Sequence, residues 1–158
     1  MNIKIDFAKT EDLKDIQNLN LLLFQKEKEE YDPTFNLNWT FGPEGTDYFS
    51  KSLKDNNSCI LVARSDKQII GYLAGKIKMT KNTHRTLENQ AELENMMILA
   101  EYRNKQIGTK LVEKFFQWAK DKGIKNIKVI ASSKNEPAIN FYKKCGFKDY
   151  DHTLEINF

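Results

Sequence analysis

Cysteine is scarce in this chain of 158 residues, which has two, Cys59 and Cys145. One falls in a predicted strand and the other at a predicted helix end, so they read as reduced thiols of a cytoplasmic protein and not as a disulfide framework. Long apolar runs are missing as well: no stretch approaches the length of a transmembrane helix, and no membrane association is expected. The opening residues Met1-Asn2-Ile3-Lys4-Ile5-Asp6 alternate apolar and polar and lack the apolar core of a signal peptide. Histidine is almost absent; His84 and His152 share no metal-ligand spacing with Cys, His or carboxylates, so no metal is expected. Charge of one sign is nowhere concentrated. Lys and Arg total 25 against 22 Asp and Glu, and the resulting +3 is spread along the chain, which gives nucleic-acid binding little support. Repeats, linkers and low-complexity segments are lacking. The Asn-x-Ser/Thr triplets at Asn38 and Asn56 are then chance matches.

What is present suits one domain over residues 1–158, with 40% hydrophobic and 30% charged residues and enough chain to bury a core. Ile3, Ile5 and Phe7 predict a half-buried strand. Thr10 reads as an N-cap, and Leu13, Ile16, Leu19 and Leu23 recur at helical spacing to about Glu30, before Asp32-Pro33. Residues 31–45 are irregular and aromatic, and a short helix is expected from Thr46 to about Lys54. Cys59–Ala63 and Ile69–Ile77 read as a hairpin around a turn at Ser65–Gln68. A polar loop at Thr80–Gln90 precedes a strand at Ala91–Leu99. A helix from about Gln106 to Lys122 buries Ile107, Leu111, Phe115, Trp118 and Ala119 and stops at Gly123. Ile127–Ala131 is a strand, Asn135 to Gly146 a capped helix, and Phe147–Phe158 one or two last strands. Strands mixed with helices in this order indicate an α/β domain with a mixed sheet.

Two segments carry chemistry. The first, Met96-Met97-Ile98-Leu99-Ala100-Glu101-Tyr102-Arg103-Asn104-Lys105-Gln106-Ile107-Gly108-Thr109, reads as a strand end, a basic turn and a helix start. Unpartnered N–H groups at a helix start, its dipole, and the cations Arg103 and Lys105 favour a phosphate-bearing ligand. The second is Asn135-Glu136-Pro137-Ala138-Ile139-Asn140-Phe141-Tyr142-Lys143-Lys144-Cys145-Gly146-Phe147.

With both in view the chain resembles the GNAT superfamily of acyl-CoA-dependent N-acyltransferases, over nearly its whole length. The family's cofactor signature, Gln/Arg-x-x-Gly-x-Gly/Ala, is met by Arg103 and Gly108. Its later signature, Asn-x-x-Ala-x-x-Phe-Tyr followed by Gly-Phe, is met by Asn135, Ala138, Phe141, Tyr142, Gly146 and Phe147. Gln106 stands where the family usually has Gly, and Ala100 where it often has Pro. Glycine serves positive φ or close ligand approach, so a negative φ is expected at Gln106. The resemblance implies the GNAT fold, a mixed and mostly antiparallel sheet of six to seven strands with about four helices, splayed at the cofactor cleft. It also implies acetyl-CoA as cosubstrate, contacted by Met97, Ile98, Arg103, Asn104, Lys105, Gln106, Ile107, Gly108, Thr109, Asn135, Ala138, Phe141 and Tyr142.

Amine acylation requires a proton acceptor for an amine whose pKa is about 10, a donor to the thioester oxygen, and a proton for a thiolate whose pKa is near 8.5. Glu92 and Glu94 are two apart and share a face of a regular strand. The resemblance makes either the base, Glu94 first, and a β-bulge would change which one faces the substrate. It assigns the backbone N–H of Ile98 to the carbonyl and Tyr142 to the leaving thiolate. The plainer alternatives are a solvated strand face for the glutamates, core packing for Ile98 and Tyr142, and ordinary surface cations for Arg103 and Lys105. Tyr31, Phe35 and Trp39 lie with several glutamates where family members often receive the acceptor, and a cationic amine would suit them; the plainer alternative is a solvated helix end followed by a loop that folds its aromatics onto the core. The expected activity is acetyl transfer from acetyl-CoA to a primary amine of a small molecule, peptide or protein, in a chain that could pair as a homodimer. A non-catalytic acyl-CoA-binding module is the alternative.

Overall fold

The computed structural model describes residues 2–79, 84–86 and 89–158. Nine elements carry the fold: β1 (Ile3–Phe7), α1 (Leu13–Glu30), α2 (Pro43–Ser52), β2 (Ser58–Ser65), β3 (Gln68–Met79), β4 (Asn89–Ile98), α3 (Ile107–Asp121), β5 (Ile127–Val129) and α4 (Glu136–Lys144). The strands form one sheet in the order β1-β2-β3-β4-β5. All neighbours are antiparallel except β4 and β5, which run parallel.

The helices cover the sheet on two sides, as the apolar spacing requires. Leu111, Val112, Phe115 and Ala119 of α3 pack on Leu61, Leu73 and Leu93, and Phe141 and Tyr142 of α4 join that layer. Ile16 and Leu19 of α1 and Phe49 of α2 pack on Val62, Tyr72 and Met97 across the other face. Two buried amides of α1 fix the irregular segment that follows it. Gln17 donates to Thr40 O at 2.9 Å and Thr46 Oγ1 at 3.0 Å. Asn20 donates to Tyr72 Oη at 3.0 Å and accepts from Thr40 Oγ1 at 2.6 Å.

Several expectations need correction. Thr10 caps nothing by its side chain; Asp12 instead accepts from Lys9 N at 2.8 Å and from the Arg64 guanidinium at 2.6 Å. Burial works to raise the Asp12 pKa, but Arg64 and the Lys9 N–H outweigh it and hold the carboxyl below its usual range. The second helix starts at Pro43, where proline fits a first turn, rather than at Thr46. The fifth strand stops at Val129. The described sheet has five strands, not six to seven, because residues 148–158 form no strand. Of the polar loop expected at Thr80–Gln90, only His84–Thr86 and the strand residues Asn89 and Gln90 lie within the described residues.

Two features of β4 set up the site. Gly75 pairs with Leu93 and Ala74 with Asn95, so Glu94 is an extra residue on β4. That bulge reverses the strand's parity. Ala91 and Leu93 face α3 before it; Met96 and Ile98 face α3 after it, and Met97 turns to α1. The second feature is a splay: β5 pairs only with Ala91, Glu92 and Leu93, leaving the far half of that β4 edge open.

Candidate active site

The open edge of β4 presents backbone groups. Leu99 N donates to Ile70 O at 2.9 Å, and Gly71 stands opposite Ile98. Alternation in an antiparallel ladder then turns the N–H and C=O of Ile98 away from β3, toward the side β5 has left free. The Ile98 carbonyl receives Arg103 Nε there at 3.0 Å.

Beside this edge the chain turns into α3. Asn104 and Gln106 both adopt left-handed backbone, φ 59° and 60°. The expected negative φ at Gln106 is therefore wrong: the position keeps the geometry glycine would favour, with glutamine carrying it. From Asn104 to Thr109 no backbone N–H has an intramolecular acceptor among the described residues. Such a run of acceptor-free N–H groups at a helix start could cradle an anion, and its chemistry suits the phosphates of a CoA-type ligand. Arg103 and Lys105 do not stand free over it. Besides Ile98 O, Arg103 reaches Met97 Sδ at 3.8 Å, and Lys105 donates to Glu101 O at 3.0 Å above the Tyr102 ring. Gly108 packs tightly: a Cβ there would lie 3.1 Å from the Phe141 ring and 3.3 Å from Ile98 Cδ1. Ile107 is buried in the same turn and Thr109 half-buried.

The helix α4 closes the other side of the splay. Asn135 caps it, accepting from Ala138 N at 3.1 Å, and donates to Glu27 Oε1 of α1 at 3.2 Å. Burial raises the Glu27 pKa. Phe141 and Tyr142 sit edge-to-face with centroids 5.3 Å apart, and Tyr142 meets Phe147 at 5.7 Å. Burial pushes the Tyr142 phenol above its ordinary range, so it stays protonated at neutral pH.

On the α1–α2 side of the sheet, Glu92 and Glu94 share a face as their spacing predicts, but neither carboxylate is free. Tyr48 of α2 donates to Glu94 Oε2 at 2.6 Å, and Asn95 Nδ2 donates to the same phenol oxygen at 3.3 Å. Lys76 and Lys78 lie 3.2 and 3.4 Å from Glu94 Oε1. Lys78 and Lys128 lie 2.9 and 3.5 Å from Glu92 Oε2. Burial opposes the charge on Lys78, but the two glutamates win and hold its pKa above the usual value. The carboxylates form the lower layer, 12% and 15% exposed, and the ammonium side chains stand above them at 36–44%.

Two of the three expected acceptor aromatics converge here. Trp39 stacks on Phe24 at 5.5 Å and meets Tyr48 at 5.5 Å; Phe35 reaches Phe24 at 4.9 Å. Tyr31 stays outside that cluster, beneath Lys26. Sequence reasoning missed Tyr48, Asn95 and the three lysines, and it set Glu27 among the acidic groups of the acceptor segment without its bond to Asn135. For Lys76 and Lys78 there was a signal: Lys-x-Lys and Glu-x-Glu on adjacent antiparallel strands place opposite charges side by side. For Tyr48 there was none.

Comparison with known proteins gives one family, two relatives and two solved structures. The model of the acetyltransferase (GNAT) family matches residues 20–147. The chain is 28% identical over 126 residues to an N-alpha-acetyltransferase of Sulfurisphaera tokodaii, covering 76% of this chain and 75% of that one. It is 29% identical over 105 residues to a streptothricin acetyltransferase of Escherichia coli, covering 66% of this chain and 56% of that one. Among solved structures it superposes on a mutant of the BH1408 protein of Bacillus halodurans with a TM-score of 0.85 at 17% identity, covering 98% and 99% of the two chains. It also superposes on the aminoglycoside acetyltransferase AAC(6')-Iy bound to a CoA bisubstrate analogue, TM-score 0.77 at 14% identity, covering 100% and 99%.

Proposed function

The chain belongs to the GNAT acetyltransferase family, and from that premise we propose that it transfers an acetyl group from acetyl-CoA to a primary amine by direct attack in a ternary complex. One observation carries the reading: the acceptor-free run of N–H groups from Asn104 to Thr109 opens beside the unpaired edge of β4. Those amides, with Arg103, Lys105 and the Asn135 side chain, would hold the cofactor. Bound acetyl-CoA would supply an activated thioester.

The chain's own groups divide the remaining work. Ile98 N–H, turned to the open edge, donates toward the carbonyl oxygen as negative charge builds there. Glu94 accepts the amine proton, directly or through water, while Tyr48 and Asn95 fix its orientation. Glu92 sits beneath Lys78 and Lys128 and is the second candidate. Tyr142, held protonated by burial, donates to the departing thiolate.

The named activities of relatives bring a peptide α-amine and streptothricin into range as acceptors. Ammonium groups layered over the carboxylates oppose a polycation and suit an acceptor that carries an anionic group near its amine. Trp39 and Phe35 supply the apolar wall. A cytoplasmic location accords with two free thiols, and no described helix is long and apolar enough to cross a membrane. The second reading is a non-catalytic acyl-CoA-binding module, favoured by the engaged state of Glu94.

The test is calorimetric titration with acetyl-CoA, then thiol release across a panel of amines. Binding with thiol release on any amine establishes the transferase. Binding with none over a panel that includes peptides and anionic amines favours the module, and absence of binding removes both.

A further inference from the structure

Asn135 is held from two directions. Its Oδ1 accepts from Ala138 N at 3.1 Å, and its Nδ2 donates to Glu27 Oε1 at 3.2 Å. Together the two bonds settle which end of the amide points where. A backbone N–H needs an oxygen, and an ionised carboxylate, which only accepts, needs an N–H. The side chain is 9% exposed, so the opposite orientation would set donor against donor and acceptor against acceptor in a buried place.

Glu27 is half-buried and carries no cation of its own. Lys26, its neighbour on α1, joins Glu30, and Lys28 donates to Phe35 O at 2.9 Å. No ion pair among the described residues includes Glu27. A carboxylate drawn out of water costs free energy unless something bonds it, and here the Asn135 amide does so.

This bond also joins two layers of the molecule. The helix α1 packs on the sheet face opposite α3, whereas Asn135 caps α4, whose Phe141 and Tyr142 join the α3 layer. Residues 108 positions apart therefore meet across the splay that β5 opens beside β4. Phe24, one helical turn before Glu27, stacks on Trp39 and meets Phe35. On the other side, burial, Cys145 and Glu27 all raise the Tyr142 pKa, so the carboxylate lies within electrostatic reach of that phenol. With its oxygen committed to the helix cap and one N–H to Glu27, Asn135 has a single donor left. That donor suits a carbonyl oxygen, such as those along the arm of an acyl-CoA.

We propose that Glu27 is a positioning residue, which holds the Asn135 amide so that its remaining N–H faces the cofactor. The inference rests on acyl-CoA binding in this cleft, as proposed above, and not on which carboxylate takes the amine proton.

Calorimetric titration of the full chain with acetyl-CoA tests it. Glu27→Met keeps the length and the helix propensity but removes the acceptor, and affinity should fall about tenfold, the order set by one hydrogen bond to a charged group. Glu27→Gln offers an oxygen in the same place and should recover most of that loss. Asn135→Ser keeps a cap for Ala138 N but lacks Nδ2, so it should bind about as weakly as Glu27→Met. Because Glu27 acts through Asn135, the double variant should bind no more weakly than Asn135→Ser alone, whereas independent sites would add. In thiol release the loss should appear in KM for acetyl-CoA with kcat held, the sign of lost uniform binding. Full affinity in Glu27→Met, no recovery in Glu27→Gln, or additive losses in the double variant would each overturn the inference while leaving acyl-CoA binding intact. A wild-type chain that binds no acetyl-CoA would overturn the cofactor reading itself, and this inference with it.

Discussion

The two halves of the site are built from different material. The cradle between Ile98 and Thr109 is main chain: its donors are amides, and its shape depends on left-handed turns at Asn104 and Gln106. The opposite half is side chains, with two carboxylates under three lysines and a half-buried phenol. Amides do not titrate and need no particular residue above them. The carboxylate half works only if each partner is present and correctly charged. So the cradle should tolerate substitution except where space is short, whereas the carboxylate half should respond to changes that barely alter shape.

The largest effect is expected where space is shortest in the cradle. Gly108→Trp puts a bulky side chain where even a Cβ would sit 3.1 Å from Phe141 and 3.3 Å from Ile98. Overpacking of this kind costs about 1–3 kcal/mol, occasionally more. Acetyl-CoA binding should fall below calorimetric detection and the melting temperature should drop. Full affinity in this variant would mean that the ligand lies elsewhere.

Next comes the carboxylate half. Glu94→Gln keeps the size and an oxygen for Tyr48 but removes the charge, and loss of a general base typically costs about 10²–10⁴ in rate. Turnover should fall by that order while acetyl-CoA affinity holds, most severely at low pH, where the amine is hardest to deprotonate. Should Glu92→Gln show this profile instead, the roles exchange.

The residues that made these two halves predictable differ as much as the halves do. The cradle was legible because a backbone turn leaves a local signature: an apolar strand end, a short basic turn, a helix start. Even there, the sign of φ at Gln106 was misjudged, because glutamine gives no hint that the turn forces a left-handed residue. Asn135, Ala138, Phe141 and Tyr142 are likewise local, four positions in one helix and its cap. The clustering around Glu94 was not legible. Tyr48 reaches it across 46 positions, on a helix that the buried amide of Gln17 ties to α1 through Thr46. The bulge that seats Glu94 exists only in the pairing of β3 with β4. The missing last strands have a similar cause: alternation at Leu154–Phe158 is a local pattern, whereas a strand needs a partner to pair with, and residues 148–158 form none.

The two tyrosines offer a finer contrast, one serving each half. Tyr142→Phe removes the donor for the thiolate, and turnover should fall about tenfold, a loss of roughly 1.4 kcal/mol, with acetyl-CoA affinity unchanged. Tyr48→Phe frees one oxygen of Glu94 in a mostly buried place; hydrogen bonds to charged groups contribute about 1.5–3 kcal/mol, shared here between stability and catalysis. Its turnover should fall severalfold, with a changed acid limb in the pH profile that Tyr142→Phe does not show. An identical profile in both variants would mean that Tyr48 only packs.

The smallest effect has the opposite sign. Gln106 adopts φ 60°, is exposed, and makes no capping hydrogen bond through its side chain. Left-handed backbone costs an L-residue roughly 1–2 kcal/mol, and glycine escapes that cost while losing about 0.5–1 kcal/mol of chain entropy. Gln106→Gly should therefore stabilise the fold by about 1 kcal/mol, a rise in melting temperature of about 2–4 °C for a domain of this size. The amide stays in place, so acetyl-CoA affinity should hold within about twofold, a difference worth ~0.4 kcal/mol. A stabilised protein with lower affinity would show that the glutamine side chain itself meets the ligand, and that the cradle is not made of backbone alone.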